Sequence, residues 1–417
     1  MRQGQGQKGF RRSRRHSFEA PTRTPALCES ELCYMRLPHP LLMSKLAVFS
    51  DPADLVQALG SKLEQGEADR IHALATLGLP PITSANALAV MWGLNPGFVW
   101  SMLNRPNRHY RTFRIPKGKQ ERNILAPRVG IKQVQKWLSI HLAETYNPPE
   151  NVFGFVPGRN HIGAAKYHIG CSWAISLDIF RFFESTPRET VIEVLKTMGY
   201  DEDSSIIISR LLTYKEMLVQ GSPASPLISN VALNGIDEKC INFAKSFDGR
   251  YTRYADDFVF SGSGDKPENL IETVRAFFDN TPWTIAAEKI RIQPLHGRIK
   301  IHGLLVASDR VRLTKGYRNR IRAYKHVAKQ KGAHLKNARK IWGHLNFANQ
   351  VSLASGEDKV ATKQLLDGLR QSPEFRANWK PQFQQTTSIA RRSSGLIEQF
   401  DRAFESFRKW FGRRGDS

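Results

Sequence analysis

Residues 250–262, RYTRYADDFVFSG, decide how this chain is read. Tyr251, Thr252 and Tyr254 on one side, and Phe258, Val259 and Phe260 on the other, favour pleated, half-buried strands. Between them stand two adjacent carboxylates, Asp256 and Asp257, with no basic residue separating them. Like charges at the centre of an apolar hairpin repel, and each resists losing its water. A bound divalent cation would remove that cost. An exposed turn that merely carries Asp-Asp has the same local sequence, so the rest of the chain has to separate the two readings.

Residues 173–178, WAISLD, supply a third carboxylate. Alternation places Trp173, Ile175 and Leu177 on one face and Ala174, Ser176 and Asp178 on the other. The pattern predicts a strand that packs through its large face and ends at an acid, with Phe182 and Phe183 following. Asp178 alone could equally cap a helix expected over 187–198. Taken together, Asp178, Asp256 and Asp257 are a donor set for two divalent cations, the arrangement that nucleotidyl transfer uses. All-oxygen ligands that leave room for water and phosphates suit Mg²⁺, with Mn²⁺ as the alternative.

The flanking segments fit a nucleotide and a polyanion. In residues 110–127 (YRTFRIPKGKQERNILAP), Arg111, Arg114, Lys117, Lys119 and Arg122 alternate with Phe113, Ile115, Ile124 and Leu125. This predicts a hairpin with a basic tip, which either closes on a triphosphate or is simply solvated. Residues 220–230 (QGSPASPLISN) have a stiff backbone able to approach a flat surface closely. A helix follows the hairpin, with Ile131, Val134, Leu138 and Leu142 inward and Lys132, Gln133, Gln135 and Lys136 outward. Upstream, Asp51 can cap a helix, Ser84 precedes an apolar run that Gly93 stops, and Asn95-Pro96 starts the next helix of a pair over 84–104.

The formal net charge is +24, with 62 Lys+Arg against 38 Asp+Glu, which points to nucleic acid as partner. Residues 298–340 hold 14 Lys+Arg against Asp309 alone, and so supply +13 of that charge. Tyr317, Tyr324 and Trp342 are interleaved there, offering stacking surfaces beside phosphate-neutralising cations. No apolar run is long enough to span a bilayer, and no basic amphipathic or lipidated anchor dominates, so no membrane partner is expected. The four cysteines are too few and scattered for a disulfide framework or a zinc site, which suggests a reduced, cytoplasmic setting. The first 17 residues are read as a basic arm, 371–394 as a loop, and Leu396, Phe400, Phe404, Phe407 and Phe411 as a packing stripe.

In their order these motifs resemble those of reverse transcriptases, most closely the bacterial retron enzymes. Tyr254-Ala255-Asp256-Asp257 matches the YxDD box, and Leu177-Asp178 with Phe182-Phe183 matches the first acidic motif. Gln220 to Pro226 matches the QGSPxSP loop, and Arg114-Ile115-Pro116-Lys117 with Arg122 and Pro127 resembles the fingers motif. The resemblance implies an α+β right-hand polymerase fold with fingers and palm, an antiparallel sheet plus helices, and a helical thumb. The implied division is a basic arm over 1–50, an N-terminal helical region over 51–109, fingers and palm over 110–315, and thumb and C-terminal region over 316–417.

The roles implied for single residues follow the motifs. Asp178, Asp256 and Asp257 would bind metal and catalyse, with the Ile179 carbonyl a further ligand. Phe183 would be the gate against a ribose 2′-OH, Lys117 and Arg122 would contact the triphosphate, and Gln220-Gly221 would line nucleotide and template. Lys289 would assist pyrophosphate departure, and Arg318, Arg320, Arg322, Lys325 and Lys329 would grip RNA. Partners implied are dNTPs, a cognate non-coding RNA primed from a 2′-OH and its DNA copy, and an effector protein in phage defence. Two elements depart from the retron pattern. Ala164-Ala165-Lys166-Tyr167-His168 lacks the Asn of Asn-Ala-x-x-His, and Ile301-His302-Gly303 replaces Val-Thr-Gly. Another class of reverse transcriptase, intron-like or abortive-infection type, and an inactive RNA-binding scaffold are the alternatives.

Overall fold

The computed structural model describes residues 44–117, 120–293, 298–331, 337–356 and 360–371. Most of the expected N-terminal arm, and the loop and aromatic stripe expected after residue 371, lie outside the described residues. Asp51, Ser84 and Asn95 do cap helices, accepting from the backbone N–H of Ala53, Ala87 and Gly97. These open α1 (Pro52–Leu59), α3 (Ala85–Met91) and α4 (Pro96–Asn104), with α2 (Glu67–Thr76) between the first two. The basic segment is a two-stranded hairpin of β1 (Tyr110–Lys117) and β2 (Gln120–Pro127), closed at the Lys117↔Gln120 pair.

Helix α5 (Val129–Ala143) buries Ile131, Val134, Leu138 and Leu142 as its spacing predicts. Gln135 differs from its expected outward position. It is fully buried, and its amide nitrogen donates to the Tyr110 hydroxyl and the Leu211 carbonyl, both at 2.8 Å. A polar side chain can face inward when such partners meet it, which helical periodicity alone does not reveal.

The chain continues through α6 (His161–Tyr167), β3 (Trp173–Asp178), α7 (Arg188–Met198), α8 (Glu202–Leu212), the short pair β4 (Thr213–Tyr214) and β5 (Met217–Leu218), α9 (Ser225–Ala232) and α10 (Asn234–Ser246). The hairpin β6 (Arg250–Tyr254) and β7 (Asp257–Gly262) comes next, then α11 (Leu270–Ala276) and β8 (Arg291–Gln293). Strands β6, β7, β3 and β8 make one antiparallel sheet in that spatial order. Trp173, Ile175 and Leu177 pack on one side with Phe258, Phe260 and α10, as alternation predicts. The small face is buried as well: Ala174 and Val259 pack against Ile301, Leu304 and Val351. The sheet is therefore the middle layer, and its acid-bearing strand ends lie between two packed faces.

Strands β9 (Lys300–Ile301), β10 (Leu304–Val306) and β11 (Val311–Leu313) form a small antiparallel sheet that leads into α12 (Lys315–Lys331), α13 (Ala338–Ala354) and α14 (Val360–Gln371). These last helices share a separate core built on Ile321, Ile341, Leu345 and Leu366. The architecture is α+β, with an antiparallel sheet packed on both faces, as the resemblance implies. No helix among the described residues is long and apolar enough to cross a membrane.

Candidate active site

Strands β6 and β7 stay in register up to the Tyr254↔Asp257 pair, leaving Ala255 and Asp256 as the turn. Ala255 has φ +60°, a left-handed conformation that an alanine adopts only against steric resistance. Its surroundings impose it. Gly154 lies so close to the Ala255 backbone that any added Cβ would collide with it, and Arg253 donates to the Ala255 carbonyl at 3.1 Å. On the other side of β7, Asp178 is the register partner of Asp257. The Ile179 N–H donates to the Asp256 carbonyl at 3.0 Å. Asp178 at the end of β3, Asp257 at the start of β7 and Asp256 in the turn thus lie at the same end of the sheet. Helix α7 is capped at Pro187 without any side-chain bond, so Asp178 does not serve as its cap.

The electrostatics of this cluster are those of crowded anions. Burial is the main cause that raises the Asp256 carboxyl above its ordinary range, and the Asp178 charge adds to it. A backbone hydrogen bond and Lys289 oppose the rise, while Asp257 contributes further to it. The Lys289 ammonium is paired with Oδ1 of Asp178, and His302 Nδ1 lies 3.2 Å from Oδ2 of Asp257. Among the described residues no three acidic, His or Cys side chains are close enough together to chelate one ion. The donor chemistry fits a hard divalent cation all the same. The oxygens come from crowded carboxylates, one of them resisting ionisation and another already paired with a cation.

A buried polar network lies beneath the turn, and the sequence motifs do not announce it. Arg253 is fully buried and grips Asp237 of α10 in a fork, Nε to Oδ1 at 2.7 Å and Nη2 to Oδ2 at 2.6 Å. Its remaining nitrogen donates to Oδ1 of Asn230 at 2.8 Å, and Asn230 in turn donates to the Gly154 carbonyl at 2.9 Å. The Tyr251 hydroxyl completes Asp237 at 2.6 Å. His168 bridges the two strands, with Nδ1 at 2.6 Å from the Ser261 hydroxyl and Nε2 at 2.7 Å from that of Thr252. Burial, reinforced by the positive fields of His302 and Arg250, pushes the His168 pKa down to about 3. The available sequence signal was an arginine inside an apolar strand, since an arginine there requires a buried partner.

The residues expected at the nucleotide divide into two groups. Phe183 is half-buried against Phe182 and Phe155, with ring centroids 5.1 and 6.2 Å away. Gly221 lies against the Leu125 and Ala126 backbone of β2, where a Cβ would clash, so the Gly/Pro loop does make a close approach. The buried Oε1 of Gln220 has no hydrogen-bond partner, an uncompensated acceptor of the kind a ligand satisfies. Lys117 and Arg122 fall in β1 and β2, opposite Gln120 and Ile115, and their side chains lie outside the described residues.

On α12, Arg318, Arg320, Arg322 and Lys329 are exposed, while Lys325 is half-buried and donates to Thr362 at 2.8 Å. Arg318, Arg322 and Lys325 line a groove of about 420 Å³ with Arg310 and Arg312 of the neighbouring strands. The aromatics expected as stacking surfaces are half-buried. Tyr317 and Tyr324 face His344 of α13, and Trp342 lies beneath Arg370. Tyr317 and Tyr324 are seven residues apart and so share the face of α12 that meets α13.

Residues 115–306 match the family described as reverse transcriptase (RNA-dependent DNA polymerase). The retron Mx65 reverse transcriptase of Myxococcus xanthus is 29% identical over 280 residues, covering 61% of this chain and 65% of that protein. The retron Ec86 reverse transcriptase of Escherichia coli is 25% identical over 289 residues, covering 68% of this chain and 89% of its own length. Among solved structures, a Candida albicans telomerase with telomeric RNA aligns at TM-score 0.39 and 9% identity over 64% of each chain. A foamy viral protease–reverse transcriptase with double-stranded DNA aligns at TM-score 0.34 and 15% identity, over 63% of this chain and 43% of that one. Residues 115–306 of this chain thus carry its similarity to reverse transcriptases, and the curated relatives named here are bacterial retron enzymes.

Proposed function

We propose that this chain is an RNA-directed DNA polymerase that copies part of a cognate non-coding RNA into single-stranded DNA. The observation that carries the reading is the convergence of Asp178, Asp256 and Asp257 at one end of a buttressed sheet, inside a reverse transcriptase domain. Two Mg²⁺ ions held by these carboxylates and the Ile179 carbonyl would supply Lewis-acid activation of the attacking hydroxyl and of the leaving pyrophosphate. The chain's own residues then position the reactants. Phe183 closes the space beside the sugar, Gln220 and Gly221 support the base and template, and Lys117 and Arg122 take the triphosphate.

The hydroxyl loses its proton to solvent water, its oxygen attacks the α-phosphorus, a new P–O bond forms, and the bond to pyrophosphate breaks. Lys289 leaves its contact with Asp178 to protonate the departing pyrophosphate. The retron reading adds priming from an RNA 2′-OH, which gives a branched RNA–DNA product, and service in cytoplasmic phage defence with an effector protein. Arg318, Arg320, Arg322, Lys325 and Lys329 hold the RNA through its phosphates.

Primer extension tests the catalytic reading: Asp256→Asn with Asp257→Asn abolishes Mg²⁺-dependent dNTP incorporation while RNA binding persists, and unchanged incorporation refutes it. Nucleic acid co-purified from the host tests the retron reading. A covalently joined RNA–DNA molecule supports it, and heterogeneous RNA without attached DNA does not.

A further inference from the structure

Of the two departures from the retron pattern, Ile301-His302-Gly303 lies against the candidate site. Between β9 and β10, His302 and Gly303 form a two-residue turn with φ of +48° and +85°. Both positive values are what a tight hairpin turn demands, and histidine tolerates the left-handed region better than most residues. The turn places the imidazole inward. Only 4% of the side chain is exposed, its ring centroid is 5.3 Å from that of Tyr254, and Nδ1 is 3.2 Å from Oδ2 of Asp257. Its other nitrogen, Nε2, is buried without a hydrogen-bond partner. The carboxylate is thus the polar contact that compensates the burial of this ring. The threonine of the retron pattern has its hydroxyl one bond nearer the backbone and so a shorter reach.

We propose that His302 is a positioning residue for Asp257, donating Nδ1–H to Oδ2 and so fixing the carboxylate with Oδ1 left for a divalent cation. This rests on the polymerase reading insofar as Asp257 is a metal ligand. A carboxylate held by a neighbouring donor loses less freedom when it coordinates, and such outer contacts tune metal affinity. Arg253 holds the Ala255 carbonyl and His168 ties the Thr252 and Ser261 hydroxyls together, whereas His302 acts on the carboxylate itself.

The test is Mn²⁺ binding by the full chain with a bound template–primer, read from the electron paramagnetic resonance of free Mn²⁺. Wild type is compared with His302→Ala, His302→Gly and His302→Asn. Loss of the donor weakens Mn²⁺ binding about 10-fold. The Mg²⁺ needed for half-maximal dTTP incorporation on poly(rA)/oligo(dT) rises in parallel, and saturating metal restores the rate. Glycine suits the left-handed turn, so His302→Gly reports the missing donor if His302→Ala does not fold. Asparagine also suits the turn, and its amide nitrogen occupies a place like that of Nδ1, so His302→Asn recovers most of the affinity. Mn²⁺ affinity unchanged in the alanine and glycine variants overturns the proposal, as does asparagine performing no better than glycine. Weakened template–primer binding with an unchanged metal curve overturns it too, by making His302 a nucleic-acid contact. A wild type that binds Mn²⁺ but incorporates no dTTP refutes the polymerase reading, and the binding comparison still decides the role of His302.

Discussion

The palm hairpin and the first thumb helix both concentrate charge, and they treat it in opposite ways. At the palm, Arg253 and Asp237 are both fully buried, and their fork fixes the strand that leads into the Asp256-Asp257 turn. On α12, Arg318, Arg320 and Arg322 stand in solvent, and its first turn has no acid. Buried charge is costly unless every partner is in place, so it specifies one geometry. Exposed cations on flexible stems specify almost no geometry, and they suit a phosphate backbone that presents charge at regular intervals. The comparison teaches that the palm depends on position and the thumb on net charge.

The strongest challenge to that contrast is the carboxylate pair itself. Asp256→Asn with Asp257→Asn should leave thermal stability intact or raised, because crowded like charges disappear, while primer extension falls to background. Nearly as large an effect is expected from the fork. Arg253→Met alone leaves Asp237 buried and unpaired and should cost about 3–5 kcal/mol of stability in denaturant unfolding. Adding Asp237→Leu should recover much of that loss, yet extension should stay low because Ala255 and Asn230 have lost their anchor. Recovery of activity along with stability would show that the network supports the fold alone.

His168 gives an intermediate effect that depends on pH. Its folded pKa lies below the ordinary value, so the unfolded chain binds the extra proton first as pH falls. The stabilisation is complete above about pH 6.5 and is lost as pH drops towards 3. Between pH 7 and pH 5 the loss should be about 2 kcal/mol, and a His168→Gln variant should show a flatter profile over that range in thermal melts.

Smaller again is the effect expected at Phe183, the proposed gate. Phe183→Ala should raise ribonucleotide use relative to deoxynucleotide use by about 10-fold or more, read from single-nucleotide incorporation. The smallest effects belong to the thumb. Arg318→Ala, Arg320→Ala and Arg322→Ala should each weaken RNA binding slightly and lower the salt slope by about one. A large loss from any single one of these would mean that the thumb, like the palm, reads position.

Much of the site was legible in the sequence because its chemistry needs particular residue types at turns and strand ends. Asp178 could be assigned to the end of β3 by alternation, and Asp256-Asp257 to a turn by their flanking β-formers. Gln135 was misplaced because periodicity assigns faces and cannot see a tyrosine hydroxyl 25 residues away waiting for an amide. The contacts of Tyr317 and Tyr324 with His344 were hidden for a related reason: composition mixes the two faces of a helix, and packing separates them.

The sequence by itself determined the carboxylate set, the stiff loop at Gln220, the basic excess of the thumb and the polymerase order of the motifs. Each of these is local, fixed by residue type and spacing along the chain. Only the tertiary structure decided that Asp237, Asn230 and Gly154 meet at Arg253, that His168 ties Thr252 to Ser261, and that His302 touches Asp257. Those contacts join residues up to about a hundred positions apart, and burial is what makes them obligatory. A polar group sealed away from water must find whatever partner the fold brings to it.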